Sequence, residues 1–97
     1  MATYLVCLNG KNFLVDDDEF PKKKRFRSTR LVEAENQNRA EAIARELISN
    51  DPRLGNMLNE ESDPPVIYLE SVNEVPAMAY DAQNRANSFY WENEDNH

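Results

Sequence analysis

Residues 3–8 are apolar on both faces of an extended chain, and this feature constrains the fold more than any other. Successive side chains of a strand point to opposite sides, so Tyr4, Val6 and Leu8 share one face. The residues between them, including Cys7, face the other side. A strand that is apolar on both faces needs cover on both, so it is predicted to lie in the centre of a sheet.

The dipeptide Asn9-Gly10 follows this segment and predicts a tight turn. Asn and Gly tolerate the positive φ angles that a two-residue type I′ turn requires. Residues 12–15 then resume the apolar pattern with Phe13 and Val15 on one face. The sequence therefore predicts an N-terminal β-hairpin that closes at Asn9-Gly10.

A third strand and a helix are predicted next. Residues 25–34 alternate in the way expected of a strand, and Asn36 is the predicted N-cap of the helix that follows. The apolar residues of the helix form one stripe at helical spacing: Ala40, Ile43, Ala44, Leu47 and Ile48. Asp51-Pro52 predicts a short second helix that continues to Asn59.

Residues 66–72 form the last predicted strand, so the element order is ββ-β-α-short α-β. A strand that follows a helix usually runs parallel to the strand before it. The predicted fold is therefore α+β, a four-stranded mixed sheet with the helices on one face. Residues 1–76 are predicted to form a single α+β domain, and residues 77–97 a polar, acidic tail that is partly disordered and contains an aromatic cluster.

Charge and composition narrow the class of protein. The chain of 97 residues has a net charge of -7, which disfavours nonspecific attraction to phosphate. No run reaches the roughly 18 apolar residues of a membrane span, and the first residues lack the features of a signal peptide. With Cys7 as its only cysteine, the chain is predicted to be cytoplasmic, with Cys7 as a buried, inert thiol.

The residue types needed for catalysis are scarce. The only histidine is His97, the last residue. A zinc site of the Cys/His type is therefore not expected, and any Ser-His or Cys-His catalytic pair would have to use this terminal residue. Carboxylates cluster in polar loops, where the solvated interpretation outweighs the catalytic one. The two glycines, Gly10 and Gly55, cannot form a glycine-rich phosphate loop. The sequence therefore predicts no enzyme activity, no cofactor and no metal.

Segregated charge marks the first candidate surface. Residues 16–19 are acidic, and a basic segment from Lys22 to Arg30 follows them at once. Its cations are Lys22, Lys23, Lys24, Arg25, Arg27 and Arg30. They either form a recognition surface around Phe26, or are solvated charges that protect a strand edge and are neutralised by the acidic run. The second interpretation is favoured.

An aromatic cluster marks the second candidate surface. Phe89, Tyr90 and Trp91 are consecutive and precede an acidic end. They either pack on the sheet or anchor another protein, because Trp and Tyr are frequent in interface hot spots. Packing on the sheet is slightly favoured, since contiguous exposed aromatics are uncommon on monomeric proteins.

One part of the chain resembles other proteins. The stretch from Phe26 to Asn36, running on to Ala40 and Ala44, resembles the strand-to-helix transition of small uncharacterised bacterial proteins. Asp63-Pro64-Pro65, after Asn59-Glu60, is similar in the same way. The resemblance implies a bacterial protein and brings no activity with it.

No motif in the sequence specifies a function, so three hypotheses remain. The leading one is a non-enzymatic cytoplasmic module that binds another protein through the sheet beside the basic segment, with the aromatic cluster as a second contact. The alternative is a nucleic-acid-binding module that uses Lys22 to Arg30, although the net charge disfavours it. The third is an enzyme whose site is shared across a homo-oligomer. None of them involves a membrane.

Overall fold

The computed structural model describes residues 1–16, 21–55, 57–76 and 88–93, and the predicted α+β class is confirmed. The strands are β1 (Ala2–Asp16), β2 (Pro21–Ala34), β3 (Val66–Val75) and β4 (Ser88–Asn93). The one α-helix of the described residues is α1 (Gln37–Ser49), and a 3₁₀ turn follows at Pro52–Leu54. The four strands form one sheet in the order β3-β1-β2-β4, with α1 packed on one face.

The predicted central strand is confirmed, but the turn at Asn9-Gly10 is wrong. β1 continues through both residues and pairs with β2 from Ala2 to Asp16. The register shifts between Gly10 and Phe13, where Asn12 has a φ of 63°. The hairpin therefore consists of β1 and β2, because pairing along almost the whole of β1 outweighs the local turn preference of Asn-Gly. The link between these strands, residues 17–20, lies outside the described residues.

Gly10 is required for close packing rather than for a turn, because its φ is not positive. A Cβ atom at this position would overlap the ring of Phe26 and lie 2.6 Å from Cε2 of Phe13. Both rings are buried in the core. The absence of a side chain at Gly10 therefore lets these two rings lie against the backbone of β1.

Gly10→Ala is expected to lower the free energy of unfolding by about 1–3 kcal/mol, because the added methyl group displaces buried rings. Gly55→Ala is the matched control, since its Cβ would lie 3.2 Å from one carbonyl oxygen, that of Pro52, on a backbone with a φ of -75°. Urea unfolding of both variants measures the difference. Equal midpoints would contradict the close approach at Gly10.

The predicted mixed sheet is wrong, since every strand pair is antiparallel. β1 is antiparallel to both β2 and β3, so β2 and β3 run in the same direction on either side of it. The crossover from β2 through α1 thus leads to a parallel strand, as the rule for such connections predicts. Because β1 lies between β2 and β3, these two parallel strands do not pair with each other.

The buried stripe of α1 is narrower than predicted. Ala40, Ala44 and Ile48 are buried, but Leu47 is 47% exposed, contrary to the prediction. The two alanines have small side chains that let the helix approach the sheet closely, and Ile43 packs beside them while only partly buried. The predicted N-cap is confirmed, because Asn36 Oδ1 accepts a hydrogen bond of 2.8 Å from the Arg39 amide.

The predicted second helix is shorter than expected. Only the 3₁₀ turn forms, capped by Asp51, whose side chain accepts a hydrogen bond from the Arg53 amide. Met57 instead forms an isolated bridge to Val15, and the Leu58 amide donates to the Leu14 carbonyl. Pairing of this segment with the end of β1 replaces the helical hydrogen bonds.

β4 is a strand that the sequence pattern does not predict. It pairs with β2 between Lys24 and Thr29. The predicted tail, residues 77–97, contains this strand, and its other residues, 77–87 and 94–97, lie outside the described residues, so its partial disorder stays a prediction. The predicted domain division at residue 76 stays a prediction.

Candidate binding surface on the sheet

The sheet has one face covered by α1 and an opposite face, here called the outer face. The register places one residue of each strand in a line across the outer face. Tyr68 of β3 is opposite Asn9 of β1, Asn9 is opposite Arg27 of β2, and Arg27 is opposite Tyr90 of β4. We call these four residues the tyrosine–arginine row.

The row is accessible along most of its length. Tyr68, Arg27 and Tyr90 are exposed, and Tyr90 has 62% of its surface accessible. The Nζ atom of Lys11 lies 5.4 Å from the centre of the Tyr68 ring, at a cation–π distance. A cavity of 360 Å³ runs beside the row, and its lining includes Arg25, Glu70 and Glu92 as well as Asn9, Arg27 and Tyr68.

Ion pairs hold the cations of this surface. Arg27 pairs with Glu70 at 2.5 Å, and Arg25 pairs with Glu92 at 3.0 Å. Lys23 lies 3.4 Å from Asp63. The carboxylates come from β3, from β4 and from the loop before β3. Asp17, Asp18 and Glu19, which are predicted partners of the basic segment, lie outside the described residues.

Glu70 also binds the one cysteine. The register of β1 with β3 shifts between Cys7 and Leu8, and the extra residue of β3 at this point is Glu70. The Cys7 thiol donates a hydrogen bond of 2.9 Å to Glu70 Oε2. This bond, and then the one from Arg27, lowers the pKa of Glu70, while Cys7 and Glu70 raise the pKa of Arg27. The bulge therefore fixes the carboxylate that orients Arg27, and Cys7 itself is buried.

The basic segment does not form one patch. Lys23, Arg25 and Arg27 alternate onto the outer face, whereas Lys22 and Lys24 share the other side of β2 with Phe26. Arg30 also lies on the helix-facing side. It pairs with Asp51 at 3.1 Å.

The aromatic cluster is divided in the same way. The rings of Phe89 and Trp91 lie 4.9 and 5.8 Å from the ring of Phe26, packed against the core. Tyr90 points to the outer face between them. Of the three aromatics, Tyr90 is the exposed one, whereas the other two are partly buried in the packing around Phe26.

Half of the tyrosine–arginine row is not predicted from the sequence. The sequence pattern places Asn9 in a turn, and it places Tyr68 and Glu70 in a strand without indicating that they are exposed. Polar and apolar residues alternate along β3, where Tyr68 and Glu70 follow Ile67 and Leu69 in turn. This alternation indicates that β3 has one exposed face. The sequence contains no comparable signal for Glu92, because β4 is not predicted.

Two further findings concern only residues 1–16, 21–55, 57–76 and 88–93. Within these ranges no three His, Cys, Asp or Glu side chains are grouped so that they could hold a metal ion. The helices within the same ranges are too short or too polar to span a bilayer. His97 lies outside them.

Comparison with family models, with curated proteins and with solved structures found no match. The resemblance to small bacterial proteins therefore stays a prediction. The geometry of the outer face is what supports a functional proposal.

Proposed function

We propose that the protein is a non-enzymatic module that binds another protein through the outer face of its sheet. The observation that carries the proposal is the tyrosine–arginine row, in which Tyr68 and Tyr90 lie on either side of Asn9 and Arg27. Tyr and Arg are among the residues most enriched in interface hot spots. Tyr also offers a large contact area at a low cost in side-chain entropy.

The ion pairs of the outer face support this proposal. An arginine loses rotamer freedom when a partner binds, and this loss opposes association. Arg27 is already oriented by Glu70, and Arg25 by Glu92. The surface is thus partly organised before the partner arrives.

Charge indicates what kind of partner fits. Three cations lie on or beside the tyrosine–arginine row, against two carboxylates: Lys11, Arg25 and Arg27 against Glu70 and Glu92. The exposed carboxylates of Asp16 and Glu33 lie on the same face but nearer the ends of the strands. The chain as a whole carries -7, so the small positive excess around the row is a local exception to its charge. An acidic protein surface complements the row, whereas the rest of the chain would repel it. The partner we propose is therefore a different, acidic protein.

One observation favours the nucleic-acid alternative. Exposed aromatic side chains on a sheet face can stack single-stranded bases, and Arg27 between two tyrosines could contact a phosphate. Against this, Arg25 and Arg27 are paired with carboxylates, and the net charge repels a polyanion. Titration with single-stranded DNA and RNA at two salt concentrations distinguishes the alternatives, because phosphate contacts weaken steeply with salt.

The double variant Tyr68→Ala/Tyr90→Ala is expected to lose the protein partner while keeping the fold, because it removes both exposed rings of the row. Loss of two hot-spot residues typically reduces affinity at least tenfold. The unaltered protein and the double variant are used as baits in native cell extract. Quantitative mass spectrometry of the captured proteins measures the loss.

Leu47→Ala serves as the control bait, since Leu47 is exposed on α1, away from the outer face. It should retain every protein that the unaltered bait captures. Circular dichroism of all three baits tests that they are folded. If the tyrosine variant captures the same proteins as the control, the outer face is not the contact surface.

A further inference from the structure

Two arginines converge on one carboxylate at the helix-facing side of the sheet, where β4 begins. The Arg30 guanidinium lies 3.1 Å from Asp51, and that of Arg53 lies 2.7 Å from the same oxygen. The Asp51 side chain is only 7% exposed and that of Arg30 19%, whereas the Arg53 side chain is half-exposed. The group lies away from the tyrosine–arginine row, on the other side of the sheet.

The group carries an excess positive charge. Hydrogen bonding from Arg53 lowers the pKa of Asp51 to about 2, so the carboxylate is ionised at every ordinary working pH. One negative charge then opposes two guanidinium groups. The remaining charge of about one unit is partly removed from water, where an anion is attracted more strongly than on an open surface.

Arg30 also has an unused donor. Its Nε atom is buried, and no acceptor among the described residues bonds to it. A buried donor without a partner is unfavourable, and native structures usually satisfy such groups with protein, water or a ligand. Asp51 accepts hydrogen bonds from Arg30 Nη2 and from the backbone amide, Nε and Nη2 of Arg53.

A cavity adjoins the two arginines. Its volume is 120 Å³, and Arg30, Arg53, Ser88 and Phe89 are in its wall. A water molecule occupies only about 30 Å³ in the liquid, so a small polyatomic anion has room. The Arg53 guanidinium lies 4.1 Å from the centre of the Phe89 ring, and this contact helps to fix its plane.

We propose that this cavity is a binding site for a carboxylate group. A carboxylate carries the single negative charge that balances the two arginines and Asp51, and its planar pair of oxygens matches the edge formed by the two terminal nitrogens of a guanidinium group. A phosphate dianion would overcompensate the charge beside Asp51. The carboxylate belongs either to a small organic acid or to an acidic side chain of a protein.

The test is a titration of the full chain with sodium acetate, followed through the NMR signal of the Arg30 Nε–Hε group. We expect a saturable shift, because a carboxylate bound beside the two guanidinium groups changes the electrostatic environment of this buried group. Sodium chloride at the same ionic strength should leave the signal in place. A shift that never saturates, or one that chloride reproduces, would overturn the proposal.

Matched variants and probes sharpen the result. Arg53→Gln should abolish saturation, whereas Arg25→Gln, which removes the same charge from the outer face, should leave the acetate affinity within about twofold, since screening weakens distant exposed charges. Equal losses of acetate affinity in the two variants would indicate nonspecific electrostatic attraction and contradict a specific binding site at Arg53. Tighter binding of inorganic phosphate than of acetate would contradict the carboxylate assignment.

The source of the carboxylate is read from a third probe, a tripeptide with a single glutamate and blocked ends. Binding tighter than that of acetate assigns the site to a protein side chain. Weaker binding assigns it to a small organic acid. Saturable binding of neither probe overturns the proposal.

Discussion

Phe26→Ala is expected to lower the free energy of unfolding by about 3–5 kcal/mol, the range for removing a buried aromatic ring. Phe26 is only 2% exposed. Its ring lies 5.2 Å from that of Phe13 in β1 and 4.9 Å from that of Phe89 in β4. One side chain of β2 therefore joins three strands, and its loss leaves a cavity that all of them line.

Tyr90→Ala provides the comparison, because it also removes an aromatic ring from the β2–β4 pair but takes it from the exposed side. Its effect should stay within about 1 kcal/mol. Urea unfolding followed by circular dichroism measures both variants. Similar losses of stability would mean that the two faces of β4 are assigned the wrong way round.

Ile48→Ala is expected to lower the free energy of unfolding by about 2–5 kcal/mol, since it opens a cavity between α1 and the sheet. Ile48 is fully buried, and its neighbours along the helix stripe, Ala40 and Ala44, are too small to fill the space. The effect should be near the upper part of the range for this reason.

Leu47→Ala removes a side chain of the same size from the adjacent position. Because Leu47 is exposed, we expect a change within about 0.5 kcal/mol. Chemical denaturation of the two variants locates the buried face of the helix directly. A larger loss for Leu47→Ala than for Ile48→Ala would show that α1 is rotated relative to the sheet.

These two residues illustrate what periodicity can and cannot determine. The apolar spacing correctly predicts a helix, its N-cap at Asn36 and a buried side that includes Ile48. It does not determine the width of the contact, which depends on how closely the helix approaches the sheet. Ala40 and Ala44 allow that close approach, and Leu47 is then left outside it.

The N-terminal strand shows that a local sequence motif does not determine whether a turn forms. Two apolar faces correctly place β1 in the centre of the sheet, between β2 and β3. The Asn9-Gly10 signal is local, however, and the pairing of β1 with both neighbours is not. Gly10 is needed for contact with Phe26 and Phe13, which no local pattern indicates.

The candidate surface was only partly predictable. The basic segment and Tyr90 are visible in the sequence, but strand alternation sends Arg27 to the outer face and Arg30 to the opposite one. Asn9 and Tyr68 join the surface only through the register of three strands. Such a row depends on pairing between distant segments, so the order of residues alone does not reveal it.

Site-specific photo-crosslinking tests the central claim most directly. A photoreactive phenylalanine analogue replaces Tyr90 in one form of the protein and Leu47 in another, since both positions are exposed. After irradiation in native cell extract, we predict that position 90 crosslinks to an acidic protein and that position 47 does not. Crosslinks from position 90 to nucleic acid alone, or to the same proteins as position 47, would contradict the proposal that the outer face binds a protein.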